Sequence, residues 1–444
     1  MLSHTYDVLS SGLPVIRIPM PSVESVTVLA LVNTGSRYEK PREYGIAHFF
    51  EHMVFKGTQS YPDAQALASA VDSVGADFNA FTSKEYTGYY VKSASKDIRL
   101  ALDVVSDMLM TPTLRQEDID REKGVIIEEM NMYADIPARH INNLFDQMMF
   151  QGSGLGHDII GTKESVCSLL SIDFQSFLQQ WYGNGNMLLV LAGDDRILKK
   201  DETLKLASEM FEKETSERIK DKVKLERYMP EQPLAPFRLR VEYKDTEQAH
   251  FVLGWPGLKR NNPDRYALSL LSTIIGGNMS SRLFTEIREK RGLCYYIHAD
   301  TDMYHDTGLL GGAAGVDPKR VEEAVKVTIA EFEDIVSHKK PITSSELQKA
   351  KDYIAGKMLL GFEDSESVAQ YFGMRQLLSD DIETPEQVLE KVRAVELDEL
   401  ASVAEKLILP GEMRFAVIGP FKDPSMFEKL TGATQTMAVG GDVK

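Results

Sequence analysis

Apolar and polar positions follow the same order of patterns twice along the chain. Each half begins with a β-rich apolar run, SVTVLALV at Ser25–Val32 and HFVLGW at His250–Trp255. A helical stretch follows each run. A glycine, Gly75 or Gly292, then introduces an alternating, aromatic-rich pattern that is typical of a β-hairpin. The two halves therefore share at least their first three elements.

The repeat continues to the end of each half. An amphipathic helical pattern follows the hairpin, and a last apolar strand ends in glycine, at Gly193 (MLLVLAGD) and at Gly419 (MRFAVIGP). A repeat of this kind constrains the whole fold, because each copy must bury the same apolar positions. We predict an α+β fold of two similar halves, each an antiparallel-rich sheet with helices packed on one face.

A charged, proline-containing segment from about Glu212 to Pro236 separates the two halves. We therefore predict an N-terminal domain over residues 1–215, a linker over 216–236 and a C-terminal domain over 237–444. The last residues, Thr431–Lys444, are polar and small, and we expect them to be disordered.

Acidic residues outnumber basic ones by 67 to 50, which gives a net charge of -17. Such a charge repels phosphate backbones and anionic lipid, so neither nucleic acid nor a membrane is an expected partner. The two cysteines fit a reducing compartment, although a single disulfide stays possible. With no signal-peptide pattern and no apolar run of about 18 residues, we expect a cytoplasmic protein. No phosphate-binding loop or dinucleotide motif is present.

One short motif indicates metal chemistry. His48 and His52 lie four residues apart in the helical pattern YGIAHFFEHMVF, so both can face one ion. Glu51 stands one residue before the second histidine, which reverses the common H-E-x-x-H order. Its carboxylate can act as general base toward water. From the residues alone, two histidines at this spacing can also serve only packing or surface hydrogen bonds.

A third metal ligand has to come from elsewhere in the chain. The helical run DIDREKGVIIEEMNMY carries Glu122 and Glu129, which share a face because seven residues make two turns. Glu128 points about 100° away from that face. Two acids on one face suit a metal ligand and a supporting carboxylate. By pattern alone, an ordinary solvated acidic face would be the preferred interpretation.

These motifs, together with GADFNAFTSKEYTGYY, resemble the pitrilysin and insulinase superfamily of inverted-motif zinc metallopeptidases. Within it, the chain resembles the mitochondrial processing peptidase branch and, more closely, the short bacterial members. The resemblance implies one zinc ion per chain, held by His48, His52 and Glu129. It also implies that Glu51 is the general base and that Glu122 is the family's second glutamate.

The resemblance extends to the second half, which lacks the histidine motif. Arg288 and Tyr295 match the family's arginine and tyrosine that complete the site from the second domain. Such donors can stabilise an oxyanion. Without the resemblance, they would be assigned to a surface helix and a strand core. Asn79, Ala80 and Phe81 match the edge strand to which an extended substrate adds. Phe81 either lines the substrate pocket or is a core aromatic residue.

The resemblance therefore implies a zinc endopeptidase that acts on peptides or on extended, unfolded segments. It also implies a homodimer, or a heterodimer with a sister subunit, in which each chain forms half of a clamshell. Two alternatives stay open. The first is a non-catalytic scaffold protein, and the second is a presequence-processing subunit that needs a partner for activity.

Overall fold

The computed structural model describes residues 2–212, 218, 238–379, 382–433 and 436–439. The chain divides into two compact units, and each is discontinuous in sequence. The first unit comprises Met1–Met130, His157–Glu226 and Lys357–Gln387, and the second comprises Asn131–Gly156, Arg227–Gly356 and Val388–Lys444. Compared with the predicted domains 1–215 and 237–444, residues 131–156 and 357–387 change sides. The predicted linker 216–236 lies outside the described residues, except for Arg218.

The first unit contains a six-stranded sheet in the order β1-β2-β6-β3-β5-β4. Its strands are β1 (Thr5–Val8), β2 (Pro14–Met20), β3 (Ser25–Val32), β4 (Asp77–Thr82), β5 (Thr87–Ala94) and β6 (Met187–Asp194). Only β2 and β6 pair in parallel, and the other four pairs are antiparallel.

The second unit contains another six-stranded sheet, in the order β12-β7-β11-β8-β10-β9. Its strands are β7 (Leu239–Tyr243), β8 (Ala249–Pro256), β9 (Cys294–Met303), β10 (Gly308–Val316), β11 (Arg414–Gly419) and β12 (Thr436–Val439). The pairs β7–β11 and β7–β12 are parallel, and the remaining three are antiparallel.

The five strands β2, β6, β3, β5 and β4 match β7, β11, β8, β10 and β9 in order and in direction of pairing. The predicted α+β fold of two similar halves is therefore confirmed. The sheets differ in the sixth strand, because β1 is antiparallel to its neighbour whereas β12 is parallel to its own. Since β12 falls within Thr431–Lys444, the prediction of disorder was wrong for these four residues.

Helices connect the strands of both sheets. In the N-terminal half they are α1 (Ile46–Met53), α2 (Ala64–Asp72), α3 (Ile98–Met110), α4 (Gln116–Asp135), α5 (Pro137–Met149), α6 (Lys163–Ser168), α7 (Ser171–Trp181), α8 (Asp195–Leu198) and α9 (Asp201–Phe211). In the C-terminal half they are α10 (Arg265–Gly276), α11 (Val321–Val336), α12 (Ser344–Gly361), α13 (Ser365–Ser379), α14 (Pro385–Ala394), α15 (Leu397–Leu407) and α16 (Ser425–Thr431).

Each unit includes one helix from the other half of the sequence. Helix α13 packs on the first sheet, where Phe372 joins an apolar cluster with Leu29 and Leu31 of β3. Helix α5 packs on the second sheet, where Phe145 joins a cluster with Val252 of β8.

Helix α13, which comes from the other half of the sequence, covers a second face of the first sheet. The residues of β3 that alternate with Leu29 and Leu31, among them Val28 and Ala30, are also buried, and α3 packs on β3 and β5. Because alternate side chains of a strand point to opposite faces, both faces of the first sheet are covered. The prediction of helices on one face thus describes only part of the packing.

Cys167 and Cys294 are both free thiols, so neither forms a disulfide. Within the described part of the chain, the helices lack a stretch that is both long and apolar enough to cross a bilayer.

Candidate metal centre

The histidine motif lies on one face of helix α1. The helix begins after Gly45, whose φ of 92° favours glycine, and a Cβ atom there would meet the Ile160 carbonyl oxygen at 2.5 Å. The apolar side chains of the helix are buried: Ile46, Ala47, Phe49, Phe50 and Met53. The three remaining positions, His48, Glu51 and His52, share the opposite face, because they are spaced by three and four residues. Burial of the apolar face therefore fixes where the polar face points.

A buried carboxylate anchors the start of this helix. Glu39 accepts hydrogen bonds from the backbone nitrogens of Gly45 and Ala47, each at 2.8 Å. Nε2 of His157 lies 3.2 Å from the same carboxylate. An anion at a helix N-terminus satisfies free N–H groups and interacts favourably with the helix dipole. Sequence reasoning missed Glu39, because it stands six residues before the N-cap position, outside the usual capping spacing.

The structure brings His48, His52 and Glu129 together. Oε2 of Glu129, on helix α4, lies 3.7 Å from Nε2 of His48 and 3.4 Å from Nε2 of His52. One ligand atom from each residue lies within 4.8 Å of the others, and no other three His, Cys, Asp or Glu side chains among the described residues meet in this way. Two imidazole nitrogens and a carboxylate oxygen are a donor set of catalytic zinc sites. The group therefore fits a divalent metal ion, and its role as ligand set stays a prediction.

Glu122 is hydrogen-bonded to the His52 ring nitrogen that faces away from Glu129. Nδ1 of His52 donates to Oε1 of Glu122 at 2.9 Å, so the Nε2 atom is the one that faces Glu129. The other oxygen of Glu122 lies 2.7 Å from Nζ of Lys56. A carboxylate bonded to the far nitrogen of a histidine fixes both its tautomer and its ring orientation. Glu122 thus occupies the supporting position that the sequence predicts, whereas Lys56 was not singled out.

The two histidines have opposite pKa shifts without a metal. Burial and, to a smaller extent, the neighbouring His52 lower the pKa of His48 to about 4, although Glu129 acts in the opposite direction. Burial also acts to lower the pKa of His52, but Glu122 and Glu129 outweigh it and raise that pKa to about 9. At neutral pH the pair therefore carries one additional proton and one positive charge, both on His52. Two imidazoles with centroids 4.7 Å apart do not both carry a positive charge.

Glu51 is held by a residue of the edge strand. Thr82 Oγ1, at the end of β4, donates to Oε2 of Glu51 at 2.6 Å. Burial raises the pKa of Glu51, and the bond from Thr82 opposes this shift. A half-buried carboxylate beside the ligand group has the proton affinity and the position that a general base requires. Thr82 follows the predicted stretch Asn79–Phe81 directly, and only the folded structure reveals its bond.

Asn79, Ala80 and Phe81 lie on β4, at one end of the first sheet. Among the described strands, β4 pairs only with β5, so its outer edge faces no other strand. Phe81 packs against the apolar cluster under α13 and forms an edge-on contact with Tyr86 at 6.1 Å. Its contacts are therefore those of a core aromatic residue.

Arg288 and Tyr295 are neighbours within the second unit. Arg288 lies in a π-helical turn, Phe284–Glu289, and Tyr295 lies on β9. The guanidinium of Arg288 is 4.9 Å from the ring centroid of Phe284 and 5.8 Å from that of Tyr295. Tyr295 is 75% exposed, so the alternative that places it in a strand core is wrong. The role of the pair stays a prediction.

Both halves of the chain match models of one peptidase family. Residues 15–163 match the model described as Insulinase (Peptidase family M16), and residues 172–354 match the model described as Peptidase M16 inactive domain. The chain therefore belongs to the insulinase family of peptidases, M16. The predicted superfamily is thereby confirmed, whereas assignment to the mitochondrial processing peptidase branch stays a prediction.

Relatives cover nearly the whole chain. An uncharacterized zinc protease of Streptomyces coelicolor is 35% identical over 94% of this chain and 89% of its own length. A second, of Bacillus subtilis, is 32% identical over 92% of this chain and 97% of its own length. The crystal structure of a protease from Helicobacter pylori has a TM-score of 0.86 at 22% identity, covering 95% of this chain and all of that one. At that identity the structural likeness supports the fold alone.

Proposed function

We propose that the protein is a zinc-dependent endopeptidase that hydrolyses peptides or extended, unfolded segments. The observation that carries the proposal is that Glu129 of α4 meets His48 and His52 on the face of α1 that also presents Glu51. Membership of a peptidase family and relatives that are named zinc proteases support the choice of metal and reaction.

Each residue of the centre has a separate role in this proposal. His48, His52 and Glu129 hold the metal, and zinc bound there supplies Lewis-acid activation of water and of the peptide carbonyl. Glu51 takes a proton from the attacking water and returns it to the amine that leaves. Thr82 fixes the orientation of the Glu51 carboxylate through its 2.6 Å hydrogen bond.

The substrate side of the proposal uses the open edge of the first sheet. An extended segment adds to β4 as a further strand, so main-chain hydrogen bonds select unfolded chains over folded ones. Asn79, Ala80 and Phe81 are the strand residues assigned to this contact. Arg288 and Tyr295 bind the substrate or the oxyanion, as the family resemblance implies. The proposal also includes pairing of two chains, as a homodimer or as a heterodimer with a sister subunit.

The test compares zinc content and peptide cleavage in the full-length chain and in Glu51→Gln. We expect one zinc per chain in both proteins, with cleavage of a fluorogenic unstructured peptide reduced about 10²–10⁴-fold in the variant. Glu128→Gln is the matched control, because Glu128 is exposed on the same helix as Glu129. It removes one carboxylate without touching the centre.

The remaining outcomes separate the alternatives. Wild-type protein that binds no zinc and cleaves nothing would overturn the proposal in favour of a scaffold role. Wild-type protein that binds zinc but cleaves only after a sister subunit is added would favour the partner-dependent processing subunit.

A further inference from the structure

A lysine that follows the metal-binding helix is connected to the centre. Lys56 lies three residues beyond the end of α1, and its backbone nitrogen donates to the Met53 carbonyl at 3.0 Å. Its Nζ atom is 2.7 Å from Oε2 of Glu122, while Oε1 of Glu122 accepts from Nδ1 of His52. The three side chains thus form a continuous line, lysine to carboxylate to imidazole.

The carboxylate in the middle of this line has a partner on each oxygen. Glu122 is buried, with its side chain 7% exposed. The terminal torsion of a glutamate is broad, so one hydrogen bond alone leaves the carboxylate plane poorly defined. A second, charge-assisted bond from Lys56 fixes that plane and leaves Oε1 directed at His52. Lys56 also compensates a negative charge that would otherwise be buried beside the ring.

We propose that Lys56 is a positioning residue of the metal centre, which acts through Glu122 to hold the His52 ring in its ligand orientation. The inference rests on the proposed function, because it assumes that His52 binds the metal. It predicts that zinc affinity depends on a cationic group at position 56, although this group pairs with Glu122 instead of with a predicted metal ligand.

The experiment is a double-mutant cycle on zinc affinity, measured in full-length metal-free protein by competition with a chromophoric chelator. We expect Lys56→Met to weaken zinc binding by about 10-fold, within the range for loss of a partner that supports a ligand. Lys56→Arg keeps the cation and should restore much of the loss. In a Glu122→Gln background, Lys56→Met should cause little further loss, because the path through Glu122 is already broken.

Lys123→Met serves as the matched control. Lys123 lies next to Glu122 on α4, and its Nζ pairs with Asp120 at 2.9 Å instead of with the centre. Its loss should leave zinc affinity unchanged. Thermal unfolding of the metal-free variants identifies any general loss of stability, which would lower the affinity of Lys56→Met and Lys56→Arg alike.

Two results would overturn the inference. In one, Lys56→Met binds zinc as tightly as the wild type. In the other, it weakens binding equally with and without Glu122. His52→Ala distinguishes this failure from failure of the proposed function. If His52→Ala abolishes zinc binding while Lys56→Met has no effect, only the role of Lys56 is wrong. If His52→Ala also binds zinc normally, the metal centre itself is wrong.

Discussion

The two sheets share strand order and direction, yet they differ in the helix that follows β3 in the first half and its counterpart β8 in the second. Helix α1, after β3, has a polar face of His48, Glu51 and His52. Helix α10, after β8, reads RYALSLLSTIIG and carries neither a histidine nor a carboxylate. The same scaffold therefore supports a candidate metal-binding group in one unit and apolar packing in the other. Chemistry depends on the side chains placed on a fold, and topology alone does not determine it.

The long helices α4 and α12 extend this contrast. Helix α4 presents Glu122 and Glu129 two turns apart toward the histidines of α1. Helix α12, at the matching place in the second half, reads SSELQKAKDYIAGKMLLG. The candidate metal centre thus draws its residues from two helices of the first half. The second half keeps the helices and lacks that set of residues.

The largest effect should come from removing a ligand. His52→Ala should abolish zinc binding and lower peptide cleavage by at least about 10³-fold, since the Lewis acid and its orientation are both lost. His140→Ala is the control from the second unit, where Nε2 of His140 pairs with Glu242 at 3.2 Å. Metal analysis and cleavage assays should show wild-type behaviour for the control. Equal losses in both variants would remove the distinction between the two units.

The exchanged helices should matter to both units alike. Phe372 of α13 and Phe145 of α5 are both fully buried against a sheet. Truncation of a buried phenylalanine to alanine costs about 3–5 kcal/mol, from lost burial and from the cavity that remains. We expect losses of this size in the free energy of unfolding, measured by urea denaturation, for each variant.

Leu359→Ala provides the control for this pair, because Leu359 is 71% exposed. It should change the free energy of unfolding by no more than about 0.5 kcal/mol. If Phe372→Ala were as mild as the control, helix α13 would not be an integral part of the first unit.

The repeat could be predicted from the sequence because the central strands are continuous apolar runs, a pattern that indicates buried strands. It could not predict the exchange of α5 and α13, since an amphipathic pattern shows that a helix packs without showing on which sheet. The strand β12 was missed for a similar reason. Its short segment gains its structure from pairing with β7, a partner about two hundred residues away in sequence.

The residues of the candidate metal centre also differ in how far the sequence alone predicts them. His48, Glu51 and His52 could be recognised from local spacing, because a helix brings them to one face. Glu129 required the family resemblance as well as helical periodicity. The contacts of Lys56 and Thr82 are tertiary, and Glu39 contacts the helix start from outside the usual capping spacing, so no periodicity within one segment indicates them.

A smaller effect should come from the second unit. Tyr295→Phe removes an exposed hydroxyl that the proposed function assigns to the substrate or the oxyanion. We expect kcat/KM for a fluorogenic peptide to fall by about 10²–10³-fold while zinc content stays unchanged. Tyr296→Phe is the control, because the adjacent Tyr296 hydroxyl bonds to His250 at 2.9 Å within its own sheet. If the two variants had the same activity, Tyr295 would have no part in the reaction.

The smallest effect concerns pH. In the metal-free protein the pKa of His52 is about 9, because Glu122 and Glu129 outweigh burial. Zinc binds only neutral imidazole, so below pH 9 the metal must displace this proton. Apparent zinc affinity should therefore fall about tenfold between pH 8 and pH 7. Calorimetry in buffers of different ionisation enthalpy should detect about one proton released per zinc at pH 7.

The two units differ in how their surroundings shift the pKa of a buried histidine. In the second sheet, burial lowers the pKa of His250, which is hydrogen-bonded to the Tyr296 hydroxyl. In the first unit, two carboxylates reverse the effect of burial on His52. Glu122→Gln should therefore lower the pKa of His52 and reduce the proton release at pH 7. A release that is zero in the wild type, or unchanged in Glu122→Gln, would show that these carboxylates do not control the protonation of the centre.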